Sequence, residues 1–254
     1  MGDNATPTFS IVIVSNTTDT DLVATVDSLL EQNYDNFEII IKCNGQDTSN
    51  LVRKYSDFQS LKIISCSDTG IYDGMNQAID YCVGSYTFFL NVGDRFFDRR
   101  SLDYVASKSS FEADVIYSPY FYRDQVVQYP KNLARSFFYR SALCHQAYFL
   151  KTSILRRYKF DLHFLVLADH DLILRAQNMS QLSFEKVDRP IANLKLMGFS
   201  AKNIAIKNRE RKVLESVHFS PIERLCFSIF SWLSMRAFRN YMMKKTFFFT
   251  LYNA

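Results

Sequence analysis

Four short apolar runs constrain this chain more than any other feature: FSIVIVS (9–15), FEIIIK (37–42), LKIISC (61–66) and YTFFLNV (86–92). Each has the length of a strand and is rich in β-branched or aromatic residues, as strands covered on both faces are. Between the first two, Leu22, Val23, Val26, Leu29 and Leu30 recur at helical spacing. They give an amphipathic helix of about three turns, with Asp19, Thr20 or Asp21 where its N-cap belongs. Leu51 to Tyr55 belongs to a second helix, between the second and third runs. Strand, helix, strand, helix, strand is the pattern of an α/β fold. The expected architecture is a Rossmann-like, mostly parallel central sheet with helices on both faces.

Ligands of such sheets bind outside the carboxyl ends of the strands, so the loops there matter most. They read SNTTD, CNGQD, SDTGIYDG and NVGDRF, and each carries at least one Asp. One polar loop is unremarkable, but four acid-bearing loops on one sheet edge are a candidate site. In NVGDR (91–95) a glycine precedes Asp94 at a strand end, which lets a ligand or metal approach the backbone closely.

Beyond residue 100 the pattern changes. DVIYSPYFYR and VVQYP alternate like antiparallel strands, and SALCHQAYFLKTSIL sets His145 and Gln146 between apolar groups. ADHDLILRAQ opens with acids and continues as an apolar helix, so Asp169 and Asp171 lie near a helix N-terminus, where the dipole favours them. From Lys202 the chain is helical and basic, with ten Lys and Arg against three Glu, a net of +7. That leaves −3 for residues 1–201 of a chain whose total is +4. The five cysteines are scattered without CxxC spacing. They read as reduced, mostly buried thiols of a cytoplasmic protein, neither a disulfide frame nor a zinc site.

In this order the segments resemble the family 2 glycosyltransferases of the GT-A fold, which build bacterial surface polysaccharides of O-antigen, capsule or colanic-acid type. FSIVIVSN and VDSLLEQNYDNFEIII match the family's opening, and SDTGIYDGMNQAI is similar to its GIYDAMN stretch. FFLNVGDRF resembles the strand end carrying the DxD-type metal motif, CHQAYFLKTSIL the HQ segment, and LADHDLILR the acid motif. The resemblance runs from residue 9 to about residue 210. It implies an inverting enzyme that moves a sugar from a nucleotide-sugar, a UDP-sugar first, to a hydroxyl of a lipid-linked glycan. It also implies a divalent cation, Mn²⁺ or Mg²⁺, to neutralise the departing diphosphate.

Carried over residue by residue, the resemblance makes Asp169 the general base and Asp94 the metal ligand. It places Ser15, Asn16, Asn44, Asp68, Tyr72, Asp73, Asn76, Asn91 and Gly93 around the donor. His145, Gln146, Asp171 and Ser200 face the acceptor or the diphosphate, with Asp171 alternatively a capping or supporting residue and His145 alternatively a satisfied, half-buried histidine. Two departures stand out. Val92 replaces the earlier acid of the metal motif, and Lys42 falls where relatives carry an Asp that helps hold the nucleotide. A lysine there favours a phosphate or carboxylate over a neutral base edge.

After Pro221 an 11-residue uncharged stretch holds Leu225, Phe227, Ile229, Phe230, Trp232, Leu233 and Met235, followed by Arg236, Arg239, Lys244 and Lys245, with no acid after Glu223. Residues 1–214 are therefore expected to form the catalytic domain. Residues 215–254 form a C-terminal helical amphipathic extension that lies on anionic lipid, packs on the core or joins a second copy in a homo-oligomer. Phe and Met outweigh the basic residues, so nucleic acid is not an expected partner. A peripheral place on the inner face of the plasma membrane follows from that reading. A competing reading, resting on Lys42 and Val92, is a catalytically silent scaffold of the same fold.

Overall fold

The computed structural model describes residues 6–195 and 202–233. Its main sheet has seven strands in the order β10-β6-β9-β4-β1-β2-β3. The first half follows the apolar runs: β1 (Phe9–Ser15), β2 (Phe37–Asn44), β3 (Leu61–Cys66) and β4 (Tyr86–Phe89). β1 pairs in parallel with β2 and β4, and β2 with β3. The second half adds β6 (Val115–Tyr117), β9 (Tyr148–Lys151) and β10 (Phe184–Lys186). β9 runs antiparallel to both β4 and β6, while β10 is parallel to β6. A second sheet of β5 (Arg95–Phe96), β11 (Ala192–Asn193), β7 (Tyr120–Tyr122) and β8 (Gln125–Val127) lies apart from it.

The fully buried runs of β1 and β2 serve two cores at once because successive side chains point to opposite faces. Ile11, Ile13, Ile39, Ile41 and Cys43 enter one core, with Leu22, Val26 and Leu29 of α1 (Thr20–Leu30) and Leu102 and Val105 of α4 (Ser101–Lys108). Val12 and Ile40 enter the other, with Met75 and Ala78 of α3 (Ile71–Ile79) and Leu172 of α7 (Ala168–Ser180). Each such aliphatic side chain contributes about 1.5–3 kcal/mol on burial. Lys42 breaks the series, for it is wholly buried in a row of isoleucines. At the exposed edge, β3 is only half covered, and its Lys62 pairs with Glu38 at 2.9 Å.

Asp19 caps α1, its carboxylate accepting the N–H groups of Asp21 and Leu22 at 3.1 and 3.2 Å. Gly84 lets the chain enter β4 against β1, because a Cβ there would lie 2.6 Å from the Phe9 backbone. β4 ends three residues earlier than the apolar run, since the Asp94 N–H turns back onto the Asn91 carbonyl at 3.0 Å. None of the five cysteines is paired, as expected, but only Cys43 and Cys82 are buried; Cys66 and Cys226 are exposed. Cys66 closes the edge strand, and Cys226 lies on the C-terminal helix, so neither has a layer to cover it. The remaining helices among the described residues are α2 (Ser49–Lys54), α5 (Arg135–Arg140), α6 (Thr152–Tyr158), α8 (Ile204–His218) and α9, residues 221–233. Among the described residues no helix is long and apolar enough to cross a membrane.

Candidate active site

The carboxyl ends of β1, β2, β3 and β4 bring Ser15, Asn44, the Asp68 loop and Asn91–Asp94 to one edge, as the parallel topology requires. A short 3₁₀ turn, His145–Ala147, and the first turn of α7 close on the same edge. There His145 links two strand-distant residues. Its Nδ1 lies 3.1 Å from Asp169 Oδ2, and its Nε2 lies 3.3 Å from Asn91 Oδ1. An Nδ1–H donated to Asp169 orients that carboxylate. An imidazolium donates to both partners, whereas a neutral ring accepts the Asn91 amide N–H at Nε2. Asp169 also accepts the His170 N–H at 2.8 Å and is 9% exposed.

Asp94 sits beside this chain, buried, with the Gln146 amide nitrogen on Oδ2 and the Lys195 backbone N–H on Oδ1. Burial pushes its carboxyl up to about 6, against the pull of the Lys195 N–H, His145 and the Lys195 ammonium. The preceding Gly93 has φ +89, and its N–H is held by Thr25 Oγ1 at 2.8 Å. A Cβ at Gly93 would meet Lys195 Cδ at 2.8 Å. Lys195 reaches on to Asp21 at 2.6 Å.

Asp94 is the carboxylate of this donor set that a divalent cation could use. Among the described residues no group of three His, Cys, Asp or Glu can hold one, and Val92 supplies no carboxylate. Asp94 still keeps a second lone pair on each oxygen. The set fits a cation that arrives with a diphosphate and takes most of its ligands from phosphate and water, as Mg²⁺ commonly does.

The other predicted residues fall into two groups. Ser15 shapes the β1 turn, donating to the Thr17 carbonyl at 2.7 Å, and Asn16 is exposed beside it. Asn44 accepts the Asp68 N–H at 3.0 Å. Tyr72, Asp73, Asn76 and Asp171 spend their polar atoms on the walls. Tyr72 donates to the Val166 carbonyl at 2.8 Å, and Asn76 bonds both backbone groups of Phe160 at 2.8 and 2.9 Å. Asp73 accepts the Thr69 N–H at 2.8 Å. Asp171 is bound by Arg175 at 2.6 Å and by His218 at 2.9 Å. Ser200 lies outside the described residues.

Lys42 forms a buried ion pair with Asp68 at 2.6 Å and donates to the Cys66 carbonyl at 2.8 Å. Of the two anionic partners that a lysine favours, it has taken a carboxylate. Asp68 is thereby committed on Oδ2, and its Oδ1 accepts the Gly70 N–H at 3.2 Å.

One positioning residue is invisible in the sequence pattern. Glu210 of α8 is buried and accepts three consecutive backbone N–H groups, those of Leu165, Val166 and Leu167, at 2.6, 3.0 and 2.9 Å. These amides lead directly into α7 and Asp169. The buried stripe of α8 is Glu210, Leu214 and His218, two of its three members polar. Lys195 and Thr25 were likewise not foreseen.

The mostly parallel sheet, with a carboxylate, a histidine and a second buried carboxylate at its carboxyl edge, is the arrangement expected of a GT-A fold. The model of the family described as "Glycosyl transferase family 2" matches residues 10–168, well over half of the 254-residue chain, and the chain belongs to that family. It is 28% identical over 180 residues to the PGL/p-HBAD biosynthesis glycosyltransferases of Mycobacterium tuberculosis and Mycobacterium bovis, covering 67% of this chain and 70% of theirs. Among solved structures it resembles Staphylococcus aureus TarS 1–349 in complex with UDP-GlcNAc. The TM-score is 0.61 at 15% identity, over 77% of this chain and 60% of that one. It also resembles the mannosyltransferase PcManGT of Pyrobaculum calidifontis, in complex with GDP-Man and Mn²⁺. There the TM-score is 0.60 at 13% identity, over 85% of this chain and 63% of that one.

Proposed function

We propose that this chain is an inverting glycosyltransferase that moves a sugar from a UDP-sugar to a hydroxyl of a lipid-linked glycan. The observation that carries the reading is the chain Asn91–His145–Asp169 beside Asp94, all at the carboxyl edge of the sheet. The acceptor oxygen attacks the anomeric carbon from the face opposite the diphosphate. The bond from that carbon to the phosphate oxygen breaks, and the nucleoside diphosphate leaves with its electron pair. Asp169 takes the acceptor proton as the new bond forms, and His145 Nδ1–H holds the carboxylate in one orientation. Glu210 fixes the backbone leading into that turn. The loops at Ser15, Asn16, Asn44 and Asp68 line the nucleotide, and Asn91 and Gly93 line the diphosphate and sugar.

A cation, Mn²⁺ or Mg²⁺, when bound, supplies positive charge against the leaving diphosphate, and Asp94 is the residue that would hold it. Gln146 and the Lys195 N–H keep that carboxylate pointed at the strand end. PcManGT with GDP-Man and Mn²⁺, and TarS with UDP-GlcNAc, support the ligand classes. The test is a thermal-shift screen against UDP-, GDP- and dTDP-sugars with and without Mn²⁺. A shift with a UDP-sugar that grows with Mn²⁺ is expected. No shift with any nucleotide-sugar under either condition overturns the proposal.

A further inference from the structure

Helix α9 is attached to the protein by one face and carries hydrophobic side chains on the other. On the inner face Glu223 pairs with Arg135 at 2.5 Å, Ser228 bonds Tyr139 at 2.9 Å, and Phe227 packs on Tyr139 and Phe219 at ring distances of 5.5 and 6.2 Å. On the outer face Ile222, Leu225, Ile229 and Leu233 follow one another at helical spacing, and they are 75, 63, 50 and 51% exposed. α8 adds Val213 and Val217, one turn apart and 44 and 67% exposed. A helix already anchored by ionic and aromatic contacts has no folding reason to hold such a stripe in water, and exposed apolar surface of this extent marks an interaction face.

Charge identifies the occupant. Residues 202–254 carry ten Lys and Arg against Glu210, Glu215 and Glu223. Glu210 is buried against three amides, and the partly exposed Glu223 is paired with Arg135. Among the described residues 202–233, Lys202, Arg209 and Lys212 are exposed and none of the three Glu is, so the solvent-facing side is cationic. A second copy seated on this stripe would bring two such segments together and set like charges against each other. A surface of anionic lipid headgroups offers acyl chain for the stripe and negative charge for its neighbours, the composition that suits a helix lying in the bilayer interface.

We propose that the outer face of α8 and α9 docks on an anionic bilayer surface. The same α8 holds the Leu165–Leu167 amides through Glu210 and reaches Asp171 through His218, so the docking face and the segment bearing Asp169 form one connected unit. The inference does not need the donor assignment, and its test separates the two.

The full chain is sedimented with vesicles of phosphatidylcholine alone and of phosphatidylcholine mixed with phosphatidylglycerol. Binding to the mixed vesicles is expected to exceed binding to the neutral ones by about tenfold or more, and to weaken with added salt. Ile229→Glu, which removes no core contact, lowers that binding by about tenfold and leaves the thermal shift with UDP unchanged. Equal binding to both vesicles, no binding to either, or unchanged binding by Ile229→Glu overturns the proposal. Self-association that Ile229→Glu abolishes, with vesicles left unbound, overturns it in favour of a second copy.

Discussion

Glu210→Ala tests whether the segment bearing Asp169 is held from the C-terminal helix. The carboxylate accepts three amide hydrogen bonds of 2.6–3.0 Å in a buried position. Hydrogen bonds to a charged group each contribute about 1.5–3 kcal/mol. The three here share one carboxylate, and Leu165 is 55% exposed, so water recovers part of the loss. The expected destabilisation is about 3 kcal/mol, similar to the loss of a strong helix cap plus a buried contact. For a chain of this size that lowers Tm by about 6–12 °C. Glu210→Gln preserves the shape but turns an N–H₂ toward a backbone N–H, so it loses about half as much. Hydrogen exchange should quicken at Leu165, Val166 and Leu167 in both variants. In Glu210→Gln, transfer should fall about tenfold or more in kcat with the donor KM held, because the acid is misplaced rather than the donor. Unchanged Tm with unchanged protection of those three amides refutes the clamp. A rise in KM with kcat intact refutes its link to Asp169.

Replacing Lys42 with Met strands the Asp68 carboxylate in a buried site and is expected to cost about 3–5 kcal/mol. Lys42→Met combined with Asp68→Asn should recover most of that, and additive losses in chemical denaturation would refute the pairing. Asp94 is held up to about 6 by burial, above its unfolded value of about 3.9. The native state therefore binds the extra proton in that window, and the contribution of Asp94 to stability is fully present below pH about 4 and is lost as pH rises through about 6. In protein stripped of metal with a chelator, Asp94→Asn should remove up to about 3 kcal/mol of that fall; an identical pH profile contradicts the burial account.

The sequence pattern exposed the parts of this fold that repeat. β1 is an apolar run, and β2 one broken by Lys42, because both their faces are covered. The edge strand β3 is half covered and mixes in Lys62 and Ser65, and α1 shows its core face at helical spacing. The acid-bearing loops stood out because parallel strands deliver all of them to one edge. What stayed hidden depends on contacts between residues far apart in the chain. Glu210 is read as one more charge on a basic, solvated helix until α8 folds back on residues 165–167. The Lys195 N–H reaches Asp94 across 101 positions. Lys42 was legible as an anomaly, but only the placement of the Asp68 loop shows which anion it takes. In the second sheet, β7 falls in the alternating run DVIYSPYFYR and β8 overlaps VVQYP, and the two pair antiparallel. By contrast β5 and β11 are two residues long, too short for periodicity to place.

The base assignment to Asp169 is the central claim, and it is tested most directly by nucleotide release and glycan transfer in the wild type and Asp169→Asn side by side. Both are run with whichever nucleotide-sugar raises the wild-type melting temperature. Asn keeps the size and a hydrogen-bond acceptor for His145 but cannot take a proton. The predicted result is a loss of turnover of about 10²–10⁴-fold, with the donor-induced thermal shift retained. Turnover equal to the wild type, with donor binding intact, contradicts the account.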